Sequence, residues 1–193
     1  NRRFYSSVQF LLKKLAESDD IRSVNFDFSE LFWKIDPTLV DEITINNWFF
    51  ANSTHIIDLV FYIIGRPEWL NRAAYEFPSR NSIFPGPDVF HGFGVSERGI
   101  PFSYQADFHG ANRWSIDVKT SQSTFTLCPL EDLYSVDVGA LERKLIFSRS
   151  KMDRDFKPGL FGQVEAFLSD CVGLLSIEAH LQSCLFYKQI HRG

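Results

Sequence analysis

The chain has 193 residues, of which 45% are hydrophobic and 16% aromatic, and it carries a formal net charge of -4 at pH 7. This length is typical of one domain, so residues 1–193 are expected to form a single unit with a sizeable core. The acidic balance argues against nucleic acid as a partner, because nucleic-acid binding needs a basic face. No apolar run reaches the roughly 20 residues of a membrane-spanning helix, so a membrane is not expected as a partner either.

Along the first third of the chain, helical spacing of apolar residues predicts a helix over 4–18. Strict alternation then indicates a strand around 24–28, and a mixed segment with Pro37 indicates a loop over 34–47. The sequence starts at Asn1 without an initiator methionine. We therefore expect it to be a piece of a longer protein.

The segment 48–65 is the most informative stretch. It predicts a loop that becomes a buried helix, capped by Asn52, Ser53 or Thr54 and ended by the final glycine. His55 then falls in the first turn, where the positive end of the helix dipole lowers its pKa. A neutral imidazole beside a cleft exchanges a proton with a substrate hydroxyl near pH 7, and a hydrogen-bonded structural histidine is the alternative.

The next part of the chain is predicted to be mostly β. Strands are expected at 70–77, 89–96, 100–109, 114–119, 123–127, 133–136 and 141–147. Prolines and a glycine indicate a loop at 81–88, and Gly99 is placed to take the positive φ of a hairpin turn. Two helices close the sequence: one lies over 160–171, and the other is capped by Ser176.

Strands segregated from helices indicate an α+β fold. We expect an open, largely antiparallel sheet of about six or seven strands with helices packed on one face. The other face then needs a cover, and aromatic side chains are candidates to lie there: Phe90, Phe102, Tyr104, Phe108 and Trp114. The chain is therefore expected to form a homo-oligomer, such as a dimer, through the open sheet face.

The chemistry-bearing motifs are few. Gly92-Phe-Gly94 lies inside a predicted strand, so it is not a dinucleotide loop, and there is no P-loop or G-x-S-x-G elbow. His91 and His109 have no third ligand in view, so no metal site is expected. Cys171 and Cys184 fall on predicted helical core faces, which favours reduced thiols and a cytoplasmic location.

Taken together, the segments resemble the C-terminal domain of the Gfo/Idh/MocA oxidoreductase family, the relatives of glucose–fructose oxidoreductase and inositol dehydrogenase. The similar segments occur in the family's order over essentially the whole chain. They are Asn1-Arg2-Arg3-Phe4-Tyr5 at the start of the domain, Asn52-Ser-Thr-His55-Ile-Ile-Asp58-Leu in the histidine helix, Phe156-Lys157-Pro158-Gly159-Leu160 with Gln163-Val164 and Phe167-Leu168 after the sheet, and Ser176-Ile177-Glu178 in the last helix. The implied fold is the dihydrodipicolinate-reductase-like C-terminal domain.

The resemblance implies hydride transfer between NAD or NADP and a hydroxyl-bearing carbon of a sugar, cyclitol or sugar nucleotide. In the family an N-terminal Rossmann domain binds the cofactor and supplies a catalytic lysine. Neither is part of these 193 residues. We therefore expect no cofactor to bind to this fragment, which should be inactive alone, and we expect the Rossmann domain as a partner.

By this resemblance, His55 matches the family's histidine that assists proton transfer. Arg2 matches a basic position near the cofactor, and Arg3 a position near the substrate, although a solvated helix end is an equal alternative. Further candidate substrate contacts are Asn52, Trp48 and Lys157, of which Lys157 is otherwise a surface residue at the start of a helix.

One departure from the family concerns the residue four positions before His55. The family often has an aspartate there, and this chain has Ala51, with Asn52 as at best a partial substitute. Two further hypotheses therefore stay open. The chain is either a non-catalytic binding or oligomerisation module that keeps the fold, or an unrelated α+β ligand-binding domain.

Overall fold

A computed structural model of the chain describes residues 1–18, 20–76, 85–111 and 113–192. The end of the strand expected at 70–77 and half of the loop expected at 81–88 lie outside these residues. In chain order the described elements are a 3₁₀ turn (Arg2–Phe4), helix α1 (Ser6–Ser18), strand β1 (Ser23–Asp27), 3₁₀ turns (Phe32–Lys34 and Pro37–Leu39), helix α2 (Glu42–Asn46), a π-helical turn (Phe49–Ser53), helix α3 (Thr54–Ile64), strands β2 (Pro67–Tyr75), β3 (Val89–Ser96), β4 (Pro101–Asp107), β5 (Ser115–Lys119), β6 (Ser123–Leu127), β7 (Leu133–Asp137) and β8 (Lys144–Phe147), and helices α4 (Lys151–Asp155), α5 (Leu160–Leu168) and α6 (Ile177–Arg192).

The strands form one open sheet in the order β2-β3-β4-β1-β5-β6-β7-β8. Every neighbouring pair is antiparallel except β1 and β4, which run parallel in the centre. The predicted α+β fold is confirmed, and the sheet has eight strands because β1 joins the strands that follow α3. Gly99 has the expected positive φ, 73°, in the β3–β4 hairpin.

The helix-covered face of the sheet carries the core. Phe26 and Phe28 from the β1 segment pack beneath α3, whose Ile56, Ile57 and Val60 are fully buried. Burying each such side chain contributes about 1.5–3 kcal/mol to folding. This packing fixes α3, and with it His55, relative to the sheet.

Four of the five aromatic residues that were candidates for the open face do not lie there. Phe90, Phe102, Tyr104 and Phe108 are all buried in the core under the helices. Alternation along a strand assigns residues to two faces but does not tell which face the helices cover. The glycines of β3 belong to the same packing, because a Cβ at Gly92 would lie 2.2 Å from the ring of Tyr104.

The open face is polar at its centre. A shallow depression of about 750 Å³ crosses it, and its polar lining includes Asn25, Asp27, Ser103, Gln105 and Asp117. Apolar side chains lie toward the β2 edge, where the rings of Trp69 and Phe93 meet edge to face at 6.0 Å.

The helix of the segment 48–65 begins earlier than predicted. The π-helical turn runs directly into α3, and Ser53 has helical dihedral angles (φ -63°, ψ -28°), so no capping loop precedes His55. The end of α3 at Gly65, with φ 84°, is confirmed. The loop expected at 34–47 instead contains short helical turns, because Asp36 and Asp41 accept hydrogen bonds from the backbone N–H groups of Thr38 and Thr44.

The apolar faces predicted for the last two helices are largely exposed. Leu160, Val164, Phe167 and Leu168 of α5 are 42–77% exposed, and α6 exposes three more: Ile177, Leu181 and Leu185. Cys171 is exposed as well, whereas Cys184 packs partly against the core. Ser176 caps α6 as expected. Of the described helices, none combines the length and apolar character that a membrane span requires.

Candidate functional site

Two neighbouring cavities contain the side chains with the most distinctive chemistry. The Trp cavity, of about 400 Å³, is lined by Arg2, Tyr5, Ser29, Glu30, Leu31, Lys34, Ile35, Trp48, Asn52, Arg113, Trp114, Pro129, Leu130 and Glu131. The His cavity, of about 310 Å³, is lined by Asn1, Arg2, Arg3, Phe4, Phe50, Thr54, His55, Asp58, Gln163, Gly173, Leu174, Leu175, His180 and Tyr187. Arg2 lines both cavities and therefore lies in the wall between them. Both volumes are in the range of small-molecule sites.

His55 enters the His cavity from a continuous helix. Partial burial lowers the pKa of its imidazole, and the positive charge of Arg2 lowers it further, while Asp58 acts in the opposite direction. The ring is therefore neutral at pH 7 and able to accept a proton. The direction agrees with the sequence prediction, but the main cause is desolvation, since His55 is not at the N-terminus of its helix.

Arg3 is held in place by the helix that carries His55. Its Nε donates to Oδ2 of Asp58 at 2.8 Å, and its Nη2 donates to Oδ1 at 2.6 Å. The guanidinium also lies 4.5 Å from the ring centroid of Tyr62. Such a bidentate pair fixes geometry as well as charge. These contacts make Arg3 a clamp that holds the N-terminal segment against α3.

The guanidinium of Arg2 makes fewer hydrogen bonds than that of Arg3. Its Nη1 donates to Oδ1 of Asn1 at 2.8 Å, and its guanidinium carbon lies 5.3 Å from the ring centroid of Trp114. Its Nε is buried without an acceptor among the described residues. A buried donor of this kind is normally satisfied by a partner. The wall between the two cavities thus offers a hydrogen-bond donor and a positive charge.

Sequence analysis missed Glu30, which is only 6% exposed in the Trp cavity. Its Oε2 accepts from Nδ2 of Asn52 at 2.8 Å, and its Oε1 accepts from Oγ of Ser53 at 2.9 Å and Nε1 of Trp114 at 3.3 Å. Burial raises the pKa of Glu30 to about 7, although these donors and Trp48 act to lower it. The sequence signal was a pair of carboxylates, Asp27 and Glu30, inside the aromatic segment 26–33.

Replacing Glu30 by glutamine is expected to flatten the pH dependence of stability. The folded state holds the Glu30 proton up to about pH 7, whereas the unfolded chain releases it near its ordinary value of 4.5. The free energy of unfolding of the native protein should therefore fall as pH rises through this window, by at most about 3 kcal/mol. Urea denaturation at several pH values measures both slopes. Equal slopes in the two proteins would contradict the assignment.

The structure separates the predicted site residues into two groups. Trp48 and Asn52 line the Trp cavity, His55 and Arg3 line the His cavity, and Arg2 belongs to both. Asn52 is bound to the Glu30 carboxylate, so its contacts do not make it a substitute partner for His55.

Other candidates lie outside these cavities. Lys157 precedes α5 with an exposed side chain and lines neither cavity, although its charge helps to lower the pKa of His55. His91 lies on the open sheet face, and Nε2 of His109 lies 3.3 Å from Oδ2 of Asp88. Within the described ranges, no group of three His, Cys, Asp or Glu side chains is arranged to hold a metal ion.

Comparison with known proteins identifies the fold. No protein-family model and no curated protein matches the sequence. Among solved structures, a UDP-N-acetylglucosamine 3-dehydrogenase from Acidithiobacillus ferrooxidans matches with a TM-score of 0.69 and 13% identity over 99% of this chain and 58% of its own. An inositol dehydrogenase homologue from Azotobacter vinelandii, complexed with NAD+, matches with a TM-score of 0.57 and 16% identity over 75% of this chain and 41% of its own. A levoglucosan dehydrogenase in complex with NADH and levoglucosan matches with a TM-score of 0.55 and 16% identity over 77% of this chain and 45% of its own.

These neighbours are oxidoreductases of the Gfo/Idh/MocA type, so the resemblance stated from the sequence is confirmed at the level of fold. The open, mostly antiparallel sheet matches their C-terminal domain. At this identity the likeness shows the fold alone. The chain spans 58% of the length of the first of these structures and less than half of the other two.

Proposed function

We propose that the chain is the substrate-side domain of an NAD(P)-dependent oxidoreductase that acts on a hydroxyl or keto group of a sugar, cyclitol or sugar nucleotide. The observation that carries this proposal is the neutral imidazole of His55 facing a cavity next to Arg2. The fold supports it, because neighbours with this fold are dehydrogenases of such compounds. All statements about the whole protein's activity are part of this proposal.

In this proposal His55 moves the proton of the reacting hydroxyl group. Its neutral ring accepts that proton as the substrate is oxidised and returns it in the reverse direction. Arg2 lies close enough to act on His55 electrostatically, and its positive charge stabilises negative charge that develops on the substrate oxygen. The Arg3–Asp58 clamp keeps this segment in register with α3.

The described part of the chain does not fit a dinucleotide. A dinucleotide is normally held by a glycine-rich turn between a parallel strand and a helix, which binds the pyrophosphate. The described residues contain one parallel strand pair, β1 and β4, and neither strand leads through such a turn into a helix. NAD or NADP would supply the hydride acceptor or donor, and in our proposal a separate Rossmann domain holds it. No step of the proposed proton transfer depends on the position of this cofactor.

The exposed apolar side chains of α5 and α6 suit contact with that domain. Both helices also line the His cavity, through Gln163 and His180. A domain that brings a nicotinamide to the substrate must approach this cavity. Large exposed apolar surface next to a functional cavity is typical of an interaction site. We assign this surface to the Rossmann domain.

A second copy of the chain is our proposed cover for the open sheet face. The interface would differ from the sequence prediction, because its centre is the polar depression and its apolar part lies near Trp69 and Phe93. Hydrogen bonds would therefore contribute more to the stability of such an interface than aromatic packing would.

The test is a kinetic assay of the full-length protein with a panel of sugars and cyclitols. We expect NAD(P)+ reduction with at least one member of the panel, and we expect the 193-residue chain alone to leave NADH fluorescence unchanged. Tight, saturable NADH binding by these residues would contradict the proposal. A coding sequence whose start codon immediately precedes Asn1 would contradict it too.

Ala51 favours a second candidate function, a binding or oligomerisation module without chemistry. It stands where the family often has an aspartate, and its methyl group offers His55 no hydrogen bond. This candidate expects full-length protein that binds NADH and sugars but shows no turnover. Turnover that depends on His55 would exclude it.

A further inference from the structure

We propose that the Trp cavity binds a sugar ring that carries an anionic group, and that Glu30 takes up a proton when this ligand binds. This inference goes beyond the proposed function, because the Trp cavity is separated from the His55 cavity by Arg2. The chemistry shared by the candidate ligands is a carboxylate or phosphate group attached to the ring.

Two tryptophans give the cavity its affinity for a ring. Trp48 and Trp114 both line it. Nε1 of Trp114 donates to Oε1 of Glu30 at 3.3 Å, and Trp48 lies close enough to Glu30 to lower its pKa. Trp48 is further held by an edge-to-face contact with Phe32 at 6.0 Å. Rigid aromatic surfaces that carry few polar groups suit the apolar C–H faces of a sugar.

The charges around the cavity favour an anion. Three cationic side chains line it, namely Arg2, Lys34 and Arg113, and the buried Nε of Arg2 lacks an acceptor among the described residues. Of the two acids that line it, Glu131 lies 3.7 Å from Arg149 and is thus neutralised in part. The three positive charges therefore exceed the negative charges even when Glu30 is ionised, and the excess is larger when Glu30 is protonated.

The groups that face Glu30 come from every element around it. Asn52 and Ser53 of the π-helical turn and Trp114 before β5 donate hydrogen bonds to it. Trp48, which precedes that turn, lies close enough to lower its pKa. The charged and titratable residues nearby are those that line the same cavity: Arg2, Tyr5, Lys34, Arg113 and Glu131. Burial raises the pKa of Tyr5, so its hydroxyl is uncharged at neutral pH.

Ligand binding is coupled to the protonation of Glu30 by repulsion. A carboxylate and a ligand anion would repel each other strongly in a site with little solvent. The anion therefore raises the pKa of Glu30 further, and the carboxyl group takes a proton from the solvent. Affinity should then fall as pH rises above about 7, approaching a tenfold loss for each pH unit.

The experiment is calorimetric titration of the 193-residue chain with D-glucuronate, D-glucose 6-phosphate and D-glucose. We expect at least one anionic sugar to bind about tenfold or more tightly than D-glucose, and the tighter of the two identifies the anionic group. Equal binding of D-glucose, or no binding of either anion, overturns the inference. Such a failure would leave the proposed function standing, because cofactor reduction by the full-length protein tests that separately.

The proton uptake is tested with D-glucuronate, whose own charge is constant over the pH range. We expect its Kd to rise about tenfold or more between about pH 6 and 8.5 in the native chain and to change little in Glu30→Gln. Glutamine fits the site if the Asn52 amide turns to present its oxygen. Titrations in two buffers with different ionisation enthalpies measure the proton uptake directly in the native chain. Binding without proton uptake near pH 7 overturns the role of Glu30.

Discussion

Replacing His55 by glutamine in the full-length protein is expected to lower kcat by about 10²–10⁴-fold, because the amide cannot accept the proton of the reacting hydroxyl. The effect on folding should be small, since the His55 side chain is only partly covered by its neighbours and lies outside the core. KM should change much less than kcat. Steady-state kinetics and thermal unfolding of the same preparation separate these effects.

The control for His55 is His180, which lines the same cavity from α6. His180→Gln should retain most of the activity. If His180→Gln abolishes turnover while His55→Gln does not, the roles are assigned wrongly. The native kcat/KM for oxidation should also fall as pH drops below the lowered pKa of His55, because only the neutral ring is a base.

Phe28→Ala is expected to lower the free energy of unfolding by about 3–5 kcal/mol. Phe28 is fully buried, and its ring centroid lies 5.5–6.3 Å from those of five aromatic neighbours, Phe26, Phe49, Phe90, Tyr104 and Phe108. The ring joins the centre of the sheet to the π-helical turn before α3, so alanine leaves a cavity where all these elements meet. Urea denaturation measures the change.

Phe93→Ala is the matched control, because this phenylalanine is 53% exposed on the open face. Its substitution should cost less than about 1 kcal/mol in the isolated chain. A loss for Phe28→Ala no larger than that of the control would show that the aromatic cluster does not hold the sheet to α3.

The sequence predicted the features that depend on neighbours along the chain. The strand at 89–96, the turn at Gly99 and the end of α3 at Gly65 follow from alternation and from glycine's tolerance of positive φ. The resemblance to a known family also placed His55 on a helix beside basic residues. Local patterns therefore accounted for most of the element order and for the fold class.

The errors concern contacts between distant segments. Helical periodicity found the apolar face of α5, but only packing shows that Phe167 is 70% exposed. The strand pattern could not show that Phe90 lies under the helices. Glu30 is part of the site because Asn52, Ser53 and Trp114 converge on it from other segments, and no spacing in the sequence reveals such a convergence.

The position of β1 has a consequence for how the protein is made. This strand is synthesised first, yet both of its sheet neighbours, β4 and β5, come from the second half of the chain. During translation, β1 therefore has no neighbouring strand until β4 and β5 have been synthesised. Until then, the apolar side chains of Val24 and Phe26 are not buried in the sheet. Unpaired apolar strands are prone to aggregation. Nascent chains that stop before Lys119 should thus depend on chaperones, and the sheet should form only after its last central strand has emerged.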